Sequence, residues 1–221
     1  MFDPIHISQH DALYPSVLRT YLRDRVPLNI TARGNLDILP GRGTARRTPT
    51  LALFCSVQCS SAVILQTYKL AYALRDAGVT VISGFHSPME KECLSILLHG
   101  TQPVIICPAR SIEHLRLPAD WKAALVQGRL LLLSPFAEKQ RRATTRRAQT
   151  RNEIVAALAD VLLIAHAVSG GKTERFCRDV LAWGKPLLAL EGDENAGLFT
   201  LGATPVRPDH LMALQIVAGI A

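Results

Sequence analysis

From Leu51 onward the chain alternates short, unbroken apolar runs with amphipathic stretches, most of them closed by a glycine, and this rhythm admits few folds. Six runs stand out, at residues 51–55, 79–82, 103–107, 130–133, 161–165 and 186–190. Each is apolar at consecutive rather than alternate positions, the pattern of a strand buried on both faces. Between them, residues 62–76, 89–99, 121–127, 152–160 and 173–183 carry helical spacing. Gly78, Gly100, Gly128 and Gly184 stand where helices stop, since glycine accepts the left-handed conformation that ends them. The expected fold class is α/β, a doubly wound, mostly parallel sheet with helices on both faces.

Residues 1–50 read differently. A helix is predicted over 14–25, followed by Pro27, an Arg33-Gly34-Asn35 turn, and a Gly/Arg/Thr/Pro-rich stretch over 40–50. This gives an N-terminal helical arm and linker over 1–50 and a single domain over 51–221. With 48% hydrophobic and 19% charged residues the chain is globular rather than disordered. Its longest apolar runs, such as the one around Leu130-Leu131-Leu132-Leu133, fall far short of the ~20 residues of a membrane helix, so no membrane partner is expected. The N-terminus, Met1-Phe2-Asp3-Pro4-Ile5-His6, lacks a basic segment followed by an apolar one, and a cytoplasmic location is expected. Five cysteines form no C-x-x-C framework, which favours buried, reduced thiols over a metal site.

Charge is concentrated. The net charge is +7, and Lys139, Arg141, Arg142, Arg146, Arg147 and Arg151 fall within thirteen residues that hold no acid. Local basicity of this kind favours a specific anionic partner; the plain alternative is a solvated loop whose charges serve solubility.

An open, Rossmann-like sheet binds ligands beyond the carboxyl ends of its strands, here the loops 55–62, 83–89, 134–152 and 166–173. Ser56, Ser83 and Gly84 lie at strand ends, where amides and hydroxyls meet phosphates at a helix start; an ordinary tight turn is the other reading of Ser83-Gly84. Arg147 and Arg151 are four apart and share a face if their helix begins early, with Asn152 beside them. Arginines crowded at a helix start oppose its dipole unless an anion is bound there. Ser169-Gly170-Gly171-Lys172-Thr173 supplies small residues and a lysine for a phosphate cradle, yet it is not a P-loop, because His166 stands where that motif requires glycine. His86 and Glu90 suit either helix capping or a metal or acid/base role. Aromatic residues are 5% of the chain, leaving Phe85 or Phe136 as candidate stacking surfaces.

The order of these segments carries a resemblance. Phe54-Cys55-Ser56-Val57, Ser83-Gly84, Leu133-Ser134-Pro135, Arg151-Asn152, Ser169-Gly170-Gly171-Lys172-Thr173, Gly184-Lys185-Pro186 and Gly202-Ala203 follow one another as in the DprA/Smf (DNA-processing protein A) family. Leu13-Tyr14-Pro15 and Arg33-Gly34-Asn35-Leu36 resemble the segment before the family's core, so the similarity spans residues 13–206. Cys55 and Val57 replace the family's glycine and arginine, and Pro88-Met89-Glu90 with Cys93-Leu94 replace its Gly-Ile-Asp and Ala-His. The family's winged-helix module is expected to be missing. The resemblance implies a non-catalytic protein that binds single-stranded DNA or a nucleotide through phosphate contacts in DNA processing or recombination. It also implies a homodimer, and no cofactor is expected. The 169–174 stretch further resembles the loop of lysine-decarboxylase-like nucleotide phosphoribohydrolases, which implies a small-nucleotide enzyme or sensor using Glu174 as the alternative. A protein-interaction domain with an empty pocket is a third reading.

Overall fold

The computed structural model describes residues 3–41 and 48–209. It begins with β1 (Ile5–Ser8), α1 (Val17–Leu22) and β2 (Asn29–Gly34). Then come β3 (Thr50–Cys55), α2 (Ser61–Arg75), β4 (Thr80–Ser83), α3 (Pro88–Leu98), β5 (Val104–Ile106), α4 (Ala119–Val126) and β6 (Leu130–Ser134). The chain continues through α5 (Thr145–Leu158), β7 (Val161–His166), α6 (Lys172–Ala182), β8 (Leu187–Leu190), α7 (Ala196–Leu201) and β9 (Thr204–Val206).

All nine strands form one sheet in the order β1-β2-β6-β5-β4-β3-β7-β8-β9. The seven strands from β6 to β9 are parallel, and β2 and β1 extend the β6 edge in antiparallel fashion. This is the α/β, mostly parallel, Rossmann-like sheet expected from the apolar runs. The chain travels outward from β3 through β4 and β5 to β6, then returns to β7 on the other side of β3. That reversal opens a crevice at the carboxyl ends of β3 and β7.

Alternate residues of each strand feed two cores. Ala52, Phe54, Ile82, Ile105, Leu131, Leu133, Leu162 and Ile164 pack with α1, α5, α6 and α7. Their neighbours Leu51, Leu53, Val81, Val104, Ile106, Leu130, Leu132 and Leu163 pack with α2, α3 and α4. Strands buried on both faces need apolar residues at every position, which is why these runs were continuous.

The N-terminal region departs from its reading. No strand is predicted before Leu51, yet β1 and β2 pair into the sheet, with Ile7, Ile30 and Ala32 buried in the α1/α5 side of the core. Polar residues such as His6, Ser8 and Arg33 alternate with them, and short strands of that kind give a weak signal. The helix predicted over 14–25 shortens to α1 plus a single turn at Arg23–Arg25, because Arg23 takes a left-handed φ of 50°. Most of the 40–50 stretch and the last residues of the 51–221 reading lie outside the described residues.

Helix α5 begins at Thr145, two turns before the expected start at Asn152, and the Thr144 side chain caps it by accepting from the Arg147 amide. Its far end is closed by Lys185, a buried lysine whose Nζ donates to the Ala157 carbonyl at 2.8 Å and to the Ala159 carbonyl. Among the described residues, no helix is long and apolar enough to cross a membrane.

Candidate functional site

A cleft of about 1000 Å³ opens at the β3/β7 reversal, between the loop after β3 and the starts of α3, α5 and α6. Of the residues expected to bind phosphate, it brings together Ser56, Arg151, Asn152, Gly171, Lys172 and Thr173.

Arg151 is the centre of the arrangement. Helix α5 packs against β3 and β4 and so carries this residue beneath the strand ends. The side chain is only 4% exposed. Its Nη1 donates to the Cys107 carbonyl at 3.2 Å and its Nε donates to Asn152 Oδ1 at 2.7 Å. Among the described residues, no carboxylate forms an ion pair with it. Burial lowers its pKa, opposed by Cys107 and by the charge of Glu90, but a guanidinium keeps its proton. A buried, permanently charged group with neutral partners is expensive unless an anion answers it.

Gly84 belongs to the same unit. A Cβ there would lie 0.8 Å from Arg151 Nη1, so the guanidinium occupies the space that any side chain would take. The requirement is room rather than a special backbone angle. Ser83 is turned inward and fully buried, and its Oγ accepts from the Phe85 amide at 3.3 Å. It shapes the turn and does not line the cleft.

Glu90 ties the first two loops together. Its carboxylate accepts from the amides of Cys55 at 3.1 Å, His86 at 2.7 Å and Ser87 at 3.3 Å, while Ser87 Oγ accepts from the Glu90 amide in a capping box. It meets His86 through the backbone, so the pair works as a cap and not as an acid/base couple. The hydroxyl of Ser56 donates to Thr173 Oγ1 at 3.1 Å and accepts from the Val168 amide at 3.2 Å, which joins the first loop to the last.

The stretch 169–174 divides. Gly171 precedes α6 without a side-chain cap, and Lys172, Thr173 and Arg175 face the cleft. Ser169 and Gly170 are exposed and stand outside it. The Gly170 amide donates to Glu174 Oε2 at 3.0 Å, and the other oxygen of that buried carboxylate takes Arg178 at 2.7 Å. Glu174 is therefore spent on its own loop. Arg147 does not line the cleft either, because its Nη1 donates to the Arg142 carbonyl.

Two contributors were not singled out from sequence. Arg175 lies three residues after Lys172, a helical spacing that puts both near one face. The Cys107 carbonyl that receives Arg151 has no sequence signature at all. Cys55 also lines the cleft, with its Sγ 3.4 Å from that of Cys59, and burial pushes the thiols of Cys93, Cys107 and Cys177 up to about 12. Among the described residues, no group of three or more His, Cys, Asp or Glu side chains is placed to hold a metal ion.

The fold recurs in solved structures. DNA processing protein A from Streptococcus pneumoniae superposes with a TM-score of 0.76 at 20% identity, over 95% of this chain and 73% of that one. DNA processing protein A from Helicobacter pylori, described for its single-stranded DNA binding mode, gives 0.75 at 18% identity over 98% and 97%. The molybdenum cofactor carrier protein of Chlamydomonas reinhardtii gives 0.52 at 13% identity over 79% and 100%. At these identities the likeness is one of fold. No curated protein matches the sequence. The profile of the DNA recombination-mediator protein A family does match, over residues 6–198, and the chain belongs to that family.

Proposed function

We propose that this protein binds single-stranded DNA in the cleft at the strand carboxyl ends, through its phosphates and without catalysis, as a step in DNA processing during recombination. The observation that carries the reading is Arg151, a buried guanidinium with only neutral hydrogen-bond partners among the described residues, opening onto a cleft that also holds Lys172 and Arg175. Family membership supports the same partner, as does the printed description of the Helicobacter pylori relative. The small-nucleotide enzyme reading rests on Glu174, whose two oxygens are already engaged.

Fluorescence anisotropy with a labelled single strand tests the proposal. For about four phosphate contacts, log affinity should fall against log salt with a slope near −3. Arg151→Ala should weaken binding by about tenfold or more, as expected when a charged hydrogen-bond donor is removed. Salt-independent binding, or none, overturns the proposal. The same reading carries a homodimer and a cytoplasmic location. Static light scattering reporting twice the chain mass supports the dimer, and the single-chain mass removes it.

A further inference from the structure

Cys55 ends β3, and Cys59 follows in the loop whose Ser56, Val57 and Gln58 form one wall of the cleft. Their Sγ atoms are 3.4 Å apart, about 1.4 Å beyond the ~2.0 Å of a disulfide bond. Among the described residues, no other two thiols are hydrogen-bonded to each other. The two differ in how firmly they are held. The Cys55 amide donates to Glu90 at 3.1 Å and the Ser56 amide donates to the His166 carbonyl at 2.9 Å, which pins the end of β3. Val57 and Gln58 are exposed, so the link to Cys59 can absorb a small movement. Cys55 is buried and Cys59 half-buried, so a reactant in solvent meets Cys59 first.

We propose that Cys55 and Cys59 form a reversible disulfide under oxidising conditions, and that its formation weakens the hold of the cleft on single-stranded DNA. The first half stands on the geometry of the pair; the second rests on the single-stranded DNA reading. The oxidant is a small-molecule disulfide such as oxidised glutathione. The Cys59 thiolate attacks one of its sulfurs, the S–S bond breaks, and one glutathione leaves with the proton that Cys59 gave up. The Cys55 thiolate then attacks Cys59 Sγ, breaking the mixed disulfide, and the second glutathione leaves with the proton from Cys55. Two protein thiols are oxidised and one glutathione disulfide is reduced. Burial raises the Cys59 pKa, opposed by the hydrogen bond with Cys55, so thiolate is scarce at neutral pH and the exchange is slow. In the reduced protein Cys59 Sγ donates to the Ser56 carbonyl at 3.3 Å. Oxidation removes that proton and leaves the carbonyl of a cleft-lining residue without its donor, and a bare carbonyl dipole opposes a phosphate beside it.

The test incubates the reduced full chain with oxidised glutathione and reads its mass. Wild type should lose two hydrogens, and peptide mapping should join Cys55 to Cys59. Cys59→Ser should form no such bond, and Cys55→Ser should gain one glutathione at Cys59, the trapped intermediate. Anisotropy with labelled oligothymidylate should show oxidised wild type binding about threefold or more weakly than reduced, the size expected for one lost hydrogen bond, with dithiothreitol restoring the affinity. Cys59→Ser, whose hydroxyl can still donate to the Ser56 carbonyl, should bind equally before and after the treatment. Absence of the Cys55–Cys59 bond in wild type, or a bond that leaves affinity unchanged, overturns the inference alone. Failure of reduced wild type to bind overturns the single-stranded DNA reading, while the mass still decides whether the pair forms its disulfide.

Discussion

Gly84 and Arg151 act as one device: the absent side chain of the first makes the resting place of the second. Gly84→Ala should therefore expel the guanidinium from its position on the Cys107 carbonyl. Overpacking of a tight site costs about 1–3 kcal/mol, so a urea melt should show a lowered midpoint, and anisotropy should show at least tenfold weaker binding of single-stranded DNA. An unchanged midpoint together with unchanged binding would mean that the guanidinium has room to spare. Arg151→Lys separates charge from shape. Lysine keeps the charge but cannot present a planar fork to the Cys107 carbonyl, the Asn152 amide and the cleft at once. Binding by this variant should fall between wild type and Arg151→Ala; equality with wild type would show that a point charge suffices. The arginine and the glycine were both legible as candidates in the sequence, but their dependence on each other was not.

Helix α5 explains why an arginine-rich stretch that reads as a loop is ordered. Charge against the helix dipole costs roughly 0.3–1 kcal/mol, while a threonine cap contributes about 1 kcal/mol and arginine is itself a good helix former. The buried row Ile154, Val155, Ala156, Ala157 and Leu158 anchors the remainder. At the other end, Lys185 closes the helix from the loop before β8. The Gly-Lys-Pro segment, legible in the sequence only as part of a family pattern, is thus a structural clasp. Lys185→Met should leave buried carbonyls unpaired at a cost of about 1–3 kcal/mol, lowering Tm by about 2–4 °C per kcal/mol for a chain of this size. The salt slope for DNA should stay as in wild type, since the clasp lies at the end of α5 remote from the cleft. A Tm unchanged from wild type would show that the clasp contributes nothing.

Across the whole molecule, burial has taken the thiols of Cys93, Cys107 and Cys177 up to about 12. A thiol in the unfolded chain ionises near pH 8.5, so between that value and 12 the unfolded state holds fewer protons than the folded one. Stability is then fully present below pH 8.5 and falls as pH rises toward 12, by up to about 1.4 kcal/mol per pH unit for each thiol. Urea midpoints measured from pH 7.5 to 10.5 should decline, and Cys107→Ala should flatten the decline; a slope identical in wild type and variant would assign it to other groups. Six of the seven parallel strands and the loops at their carboxyl ends followed from the sequence alone, because a strand buried on both faces must be apolar at every position, and that demand is local; β9, exposed at Thr204 and Pro205, gave no such run. Tertiary structure alone decided that β1 and β2 would extend the β6 edge, since one-sided burial leaves only a faint alternation. It also decided that Arg151 would reach a carbonyl 44 residues away, because where a guanidinium comes to rest depends on how its helix packs across the sheet.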